Sequence, residues 1–285
     1  RPELRHRHAL TRPLTHDRRG APVADIEIEK PSDAVRVIRL NRPERLNALT
    51  FGLTADLHDA LDTVGADDTA KVAVLTGAGR GFCAGLDLRD FGMPPEVGEH
   101  PWRTARTSGQ AFMSSLTQHI NQTPQIVVAA VNGPAYGGGL ALAAACDLRV
   151  AATSATFCAA FIKTGLTATD IGLSWFLPRL LGASRAFDLM LTGRTIGADE
   201  AEHMGLVSRV LPDEGFEAAA LEIAGTVAGY TSYGLRNTKE VMWANLDAPS
   251  LPAALALENR NQEMGAAHPE VQAYMANYSK VVKKD

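Results

Sequence analysis

The sequence predicts an α/β core built on a buried sheet, followed by a helical C-terminal part. Three observations carry this. Short apolar runs alternate with helical periodicities through the first two thirds of the chain, strands of four to six residues end at glycine-bearing turns, and beyond Ser184 the strand signal all but disappears. The chain has 285 residues, 46% of them apolar and 21% charged, which is enough for one large core with an appended smaller region.

The elements read as follows. Asp25–Glu29 and Val35–Leu40 alternate apolar with polar or charged residues and form a paired antiparallel edge. Thr50 or Thr54 caps a helix in which Leu53, Leu57, Ala60, Leu61 and Val64 recur at spacings of three and four. Val72–Leu75 is a short buried strand running to Gly77. A Gly- and Pro-rich loop from Gly92 to Pro101 has no readable shape, and a helix then covers about Ser108–Gln122. Ile126–Val131 is a strand, Gly137–Cys146 a helix led by glycine, and Leu148–Ala151 a strand. Six helices are expected afterwards (Arg185–Leu191, Asp199–Met204, Glu214–Ala228, Ser232–Ala244, Pro252–Met264, Pro269–Tyr278), with Val207–Val210 as the one strand-like segment. These patterns divide the chain into a tail (1–24), a core (25–195) and a helical C-terminal region (196–285).

Residues 1–24 hold six arginines, three histidines and few acids, without apolar residues at helical spacing, and read as a solvated, disordered tail or a transit-like peptide. A formal charge of -4 provides no global positive field, so binding to nucleic acid by phosphate neutralisation is disfavoured. Cys83, Cys146 and Cys158 show no C-x-x-C spacing, so neither a disulfide framework nor a zinc cluster is expected, and a reducing, cytoplasmic setting fits. The apolar stretch from Ala129 to Cys146 contains Asn132, Pro134 and four glycines and reads as buried rather than membrane-inserted.

Chemistry concentrates in two glycine-bearing turns. In the first, Val72–Gly77 leads into Gly79-Arg-Gly-Phe-Cys-Ala-Gly-Leu-Asp-Leu88, where Gly85 frees the backbone N–H of Leu86. In the second, Ile126–Val131 leads into Asn132-Gly-Pro-Ala-Tyr-Gly-Gly-Gly139 and a helix whose first N–H groups suit an anion or a developing oxyanion. Neither turn has dinucleotide-loop spacing, and Gly172-Leu-Ser-Trp-Phe lacks the second glycine of a nucleophile elbow. Two donors from separate loops can clamp one carbonyl oxygen.

Taken together, Asn41-Arg-Pro-Glu-Arg-Leu-Asn-Ala-Leu49, Gly81-Phe-Cys-Ala-Gly-Leu-Asp-Leu88, Ala130-Val-Asn-Gly-Pro-Ala-Tyr-Gly-Gly-Gly139 and Cys146-Asp147 resemble the crotonase, or enoyl-CoA hydratase/isomerase, superfamily. The resemblance runs from about 25 to 280, through Leu177-Pro-Arg-Leu-Leu-Gly182, Leu191-Thr-Gly-Arg194 and Ala198–Val207. It implies a crotonase-like spiral of ββα units with a C-terminal helical oligomerisation region that builds a homo-trimer or a dimer of trimers. It further implies an acyl-CoA thioester as ligand, coenzyme A as part of the substrate, and no separate cofactor or metal. The family's oxyanion-hole amides fall on Leu86 and Gly138, flanked by Ala84, Asp87 and Leu88. The family's adenine- and phosphate-binding region falls on 42–46, where Arg45 is either a phosphate partner or a solvated surface residue. Tyr274 matches a family aromatic, but Asn277 stands where a base is usual, leaving Lys280 or Lys283 to compensate.

The departures bear on the reaction. Where family hydratases carry two glutamates, this chain has Ala141 and Phe161, so the two-carboxylate route to hydration is missing from those positions. Asp170 is the replacement acid or base, or else the N-cap of a helix Ile171–Leu181. Asp87 either reaches the pocket or caps its loop. Tyr136 and Phe161 line an acyl pocket or the core, and His58, His119 and His203 are expected on helix faces. Two readings remain: an enzyme working through a stabilised enolate, or a non-catalytic acyl-CoA binder.

Overall fold

The computed structural model describes residues 24–282, with side chains to 278. The basic N-terminal tail and Lys283 lie outside the described residues, as does the side chain of Lys280.

Strands β1 (Ile26–Glu29) and β2 (Val35–Leu40) pair antiparallel with Ile26 opposite Leu40. Helix α1 (Phe51–Gly65) starts at Thr50, whose hydroxyl accepts the Leu53 N–H, and it buries Leu53, Leu57, Leu61 and Val64. Strand β3 (Val72–Gly77) runs parallel to β2, α2 (Gly109–Gln122) is capped by Ser108, and β4 (Ile126–Val131) runs parallel to β3. Every residue of β3 and β4 is buried, the condition for a parallel strand covered on both faces and the reason these runs do not alternate. Strand β5 (Ala135–Tyr136), α3 (Gly138–Ala145) and β6 (Leu148–Ala152) follow, then β7 (Thr156–Cys158), α4 (Leu173–Leu181), α5 (Ala183–Thr192), β8 (Thr195–Gly197), α6 (Ala198–Met204) and β9 (Arg209–Leu211). The chain closes with α7 (Phe216–Ala228), α8 (Ser232–Asn245), α9 (Leu251–Ala266) and α10 (Pro269–Val282).

The main sheet has the order β1-β2-β3-β4-β6-β9, parallel except at β1, and a small sheet joins β5, β7 and β8. The small sheet is absent from the sequence reading. Its strands have two or three residues, too few for an alternation to register, and are defined by pairing alone. Position 195 falls at the first residue of β8, and β9 beyond it pairs with β6, so both sheets draw strands from either side of that position.

The C-terminal helices are tied to the core by a buried polar cluster. Lys239 on α8 pairs with Asp147 at 2.9 Å and donates to the carbonyls of Ile120 and Gln125, while Trp243 Nε1 donates to the same carboxylate at 2.7 Å. Asp147 Oδ2, the oxygen paired with Lys239, also accepts the Val127 N–H at 2.7 Å, while Trp243 reaches Oδ1.

The loop after Gly92 is held to α1 and α2 by a second cluster. Trp102 stacks against both His58 and His119, with ring centroids 4.9 and 4.5 Å away. His58 and His119 meet through their Nδ1 atoms at 2.7 Å, and His58 Nε2 reaches Ser115 Oγ at 3.0 Å. Both histidines lie on helix faces, His58 on α1 and His119 on α2, and both are buried, facing each other across the α1–α2 contact. Among the described residues no helix is long and apolar enough to cross a membrane.

Candidate functional site

Two asparagines shape the first turn. Asn47, in the left-handed region at φ 56, donates from its buried amide to the carbonyls of Ala78 and Gly81. Asn132 accepts the Gly77 N–H and donates to the carbonyls of Gly77 and Gly79, clamping the end of β3 to the end of β4. Both asparagines stand in the quoted motifs, and their bridging role becomes readable once the strand order places 47 and 132 on either side of the turn.

The two turns then lie against each other. The Cys83 N–H donates to Pro134 O, Tyr136 N–H to Cys83 O, and Leu49 N–H to Gly85 O, at 2.7 to 3.0 Å. Close approach requires glycine here: a Cβ at Gly139 would stand 2.0 Å from the Cys83 carbonyl oxygen. Gly85 has φ +90, and its Cβ would lie 2.8 Å from Tyr136 O and 3.3 Å from the Gly138 nitrogen. The chain just before Leu86 therefore abuts the start of α3. Among the described residues no backbone acceptor takes the N–H of Leu86 or of Gly138. Gly138 opens an entirely buried helix, so the positive end of its dipole adds to that donor.

Asp170 approaches from a third segment. Its neighbour Ile171 is β-branched yet held at φ 47, a strained conformation that persists because the Ile171 side chain is buried against Gly138, 3.2 Å from where a Cβ there would stand. The Ile171 N–H is turned onto Asp170 Oδ1 at 2.7 Å, and the Gln110 amide donates to the same oxygen at 2.5 Å. Burial pushes the Asp170 carboxyl above the ordinary aspartate range, opposed by those two hydrogen bonds. The N-cap alternative for Asp170 is corrected: α4 begins at Leu173 with Gly172 as its cap, because φ 47 and φ 79 at 171 and 172 take the backbone out of the helical region.

Ala141 and Phe161, where the resemblance to the hydratases leads one to expect glutamates, are apolar and close by. Ala141 is fully buried one turn into α3, its N–H donating to the Gly137 carbonyl, and Phe161 puts its ring 3.4 Å from where a Gly137 Cβ would lie. Tyr136 instead turns its hydroxyl to Thr156 Oγ1 at 3.0 Å. Leu86, Leu88, Phe91 and Met93 are exposed along the loop leaving the first turn, and Ala84 is half-buried beside them.

Arg45 and Asp87 pair with each other. The buried Asp87 carboxylate takes hydrogen bonds from Arg45, from Arg42 at 3.2 Å and from the N–H groups of Arg89 and Asp90. Its own burial opposes ionisation, but these donors outweigh it and bring the carboxyl down to about 2. Asp87 thus occupies the loop-capping alternative and holds the segment that carries Leu86. Among the described residues no group of three or more His, Cys, Asp or Glu side chains is arranged to hold a metal.

The enoyl-CoA hydratase/isomerase family profile matches residues 30–284. A probable enoyl-CoA hydratase, EchA12, of Mycobacterium tuberculosis is 45% identical over 240 residues, 84% of either chain. The 1,2-epoxyphenylacetyl-CoA isomerase of Escherichia coli is 36% identical over 249 residues, 86% of this chain and 93% of that one. The solved structure of a monofunctional enoyl-CoA isomerase from M. smegmatis superposes with a TM-score of 0.68 at 38% identity, covering 81% of this chain and 98% of the other.

Proposed function

The chain belongs to the enoyl-CoA hydratase/isomerase family, and from that premise we propose that it is an acyl-CoA isomerase whose one acid–base group is Asp170. The observation that carries this is the pairing of a lone carboxylate with two free amides. Asp170 stands beside Ile171, which packs on Gly138, while the positions of the hydratase glutamates are Ala141 and Phe161.

In this reading the thioester oxygen of a 3-enoyl-CoA lies between the Leu86 and Gly138 N–H groups. Asp170 takes a proton from C2, and the electron pair moves into the thioester carbonyl to give a dienolate. The two amides stabilise the developing oxyanion, each by about 3 kcal/mol. The protonated Asp170 returns the proton to C4, the double bond settles between C2 and C3, and the carboxylate is regenerated. One carboxylate suffices because the same proton leaves and returns, whereas hydration by the family's two-glutamate route also needs a second group to hold water. Exposed Leu86, Leu88, Phe91 and Met93 supply an apolar wall for the acyl chain. Coenzyme A belongs to the substrate and no other cofactor is required. Arg45 remains the basic residue for its phosphates, with Asp87 holding its guanidinium in place.

The test is incubation of 2-enoyl- and 3-enoyl-CoAs of several lengths in D₂O, followed by chromatography and mass spectrometry. Double-bond migration, lost in Asp170→Asn, is the expected result, with deuterium entering the product only as far as protonated Asp170 exchanges with solvent before it returns the proton. Migration that survives Asp170→Asn removes the base assignment. Binding without change in any thioester replaces the reading with the second one, an acyl-CoA binder in which Ala141 and Phe161 make the pocket apolar.

Residues 25–195 are proposed as the acyl-CoA-binding core and 196–285 as the region that assembles a homo-trimer or a dimer of trimers. Tyr230, Met242, Leu246 and Tyr274 on or beside α8 and α10 border an open, mostly apolar cavity of about 650 Å³, a surface suited to burial against another copy. Light scattering on the purified chain measures the state directly. Three free, buried cysteines fit a cytoplasmic setting.

A further inference from the structure

The two polar donors on Asp170 both reach one of its oxygens. The Ile171 N–H and the Gln110 amide end on Oδ1, at 2.7 and 2.5 Å. Among the described hydrogen bonds and ion pairs none involves Oδ2, and no cation pairs with the group. The neighbouring threonines are satisfied elsewhere: Thr169 donates to Thr167, and Thr167 to the Thr169 carbonyl. Gln110 is itself placed by a fixed backbone. It sits in the first turn of α2, one residue before Ala111, whose N–H is held by the Ser108 hydroxyl at 3.1 Å.

We infer that Gln110 is the positioning residue of the reaction: with the Ile171 N–H it fixes Oδ1 of Asp170 and leaves Oδ2 as the atom that exchanges the proton with substrate. This rests on the reading of Asp170 as the base. A carboxylate on a half-exposed segment has rotational freedom about χ1 and χ2, and a base that must take a proton from C2 and return it to C4 of the same substrate cannot use that freedom. Two donors on one oxygen remove it. Gln110 is well suited because its amide gives a donor without a charge, so it orients the carboxylate while lowering its basicity less than a cation would. The groups acting on Asp170 are its burial, the Ile171 N–H and the Gln110 amide, and no charged side chain from α2, α3 or α4 is among them.

The experiment compares Gln110→Met and Gln110→Lys with the wild-type chain and with Asp170→Asn, reading kcat, KM and the acidic limb of kcat/KM for 3-enoyl-CoA isomerisation. Gln110 is exposed, so these variants are expected to fold, and their circular dichroism checks it. Met removes the donor at similar length: kcat is expected to fall about 5- to 10-fold with KM little changed, and the acidic limb to move up. Lys restores a donor and adds a charge, and the limb moves below the wild-type position. Opposite shifts are a signature that a packing role does not produce. A limb and kcat unchanged in both variants, with Asp170→Asn inactive, overturn the positioning role and leave the base in place. Full activity in Asp170→Asn overturns the base reading and the inference together, as does a wild-type chain that turns over no thioester.

Discussion

Acid should destabilise this protein through His58 before it titrates most carboxylates. The side chain is fully buried, its Nδ1 meets His119 Nδ1 at 2.7 Å, and Trp102 and Phe112 flank its ring. A contact between two Nδ1 atoms accommodates one proton, so both imidazoles cannot be charged without parting. Burial first, and then the neighbouring His119 and His100, bring His58 down from 6.5 to about 3, and His119 is lowered as well, chiefly by burial. The sign follows from linkage. Between those two values the unfolded chain binds a proton that the folded chain refuses, so stability is fully present above 6.5 and is lost as pH falls toward about 3. At about 1.4 kcal/mol per pH unit, moving from pH 7 to pH 5 costs about 2 kcal/mol from His58 alone. For a chain of this size that is a fall in Tm of about 4 to 8 °C. The assay is thermal unfolding at both pH values and fixed ionic strength, for the wild-type chain and for His58→Met and His58→Gln. The variants melt lower at pH 7 but lose less on acidification, since background carboxylate titration is common to all three. Equal losses in all three proteins would falsify the account. Hydrogen exchange locates the event, with residues 92–108 expected to open first because Trp102 is their anchor.

Three further outcomes are expected. Gly138→Pro removes the donor at the first position of a helix, where its Cβ also meets the side-chain ends of Leu49 at 2.8 Å and Ile171 at 3.2 Å, and should cost at least about 10²- to 10³-fold in kcat together with a fall in Tm; unchanged turnover and thioester affinity remove the oxyanion role. Gly85→Ala forces a Cβ to within 2.8 Å of the Tyr136 carbonyl at φ +90, and should lower both Tm and kcat by displacing the Leu86 N–H, a result that parallel kinetics and melting curves would expose. Lys239→Ala leaves Asp147 buried without its cation, a loss of about 3 to 5 kcal/mol that urea unfolding measures. Limited proteolysis should then cut first around α8, and an unchanged cleavage pattern would mean that α8 is held by other contacts.

Much of this protein was determined within short windows of sequence. Continuous apolar runs marked β3 and β4 as buried strands, Thr50 or Thr54 marked a helix start by its capping hydroxyl, and the glycines at 85 and 137–139 marked turns with free amides. Each of these depends on atoms a few residues apart, so spacing alone reveals it. Asp170 stood out, with Asp87, as an acid near the expected site, but whether Asp170 capped a helix depended on the backbone at Ile171 and Gly172, which packing of Ile171 against α3 holds out of the helical region. The pairing of Arg45 with Asp87, of His58 with His119, of Gln110 with Asp170 and of Asp147 with Lys239 joins residues 42, 61, 60 and 92 positions apart. No local periodicity encodes such separations. They arise when a parallel sheet with helical crossovers brings distant segments side by side, and only then do burial and hydrogen bonding decide which polar group meets which.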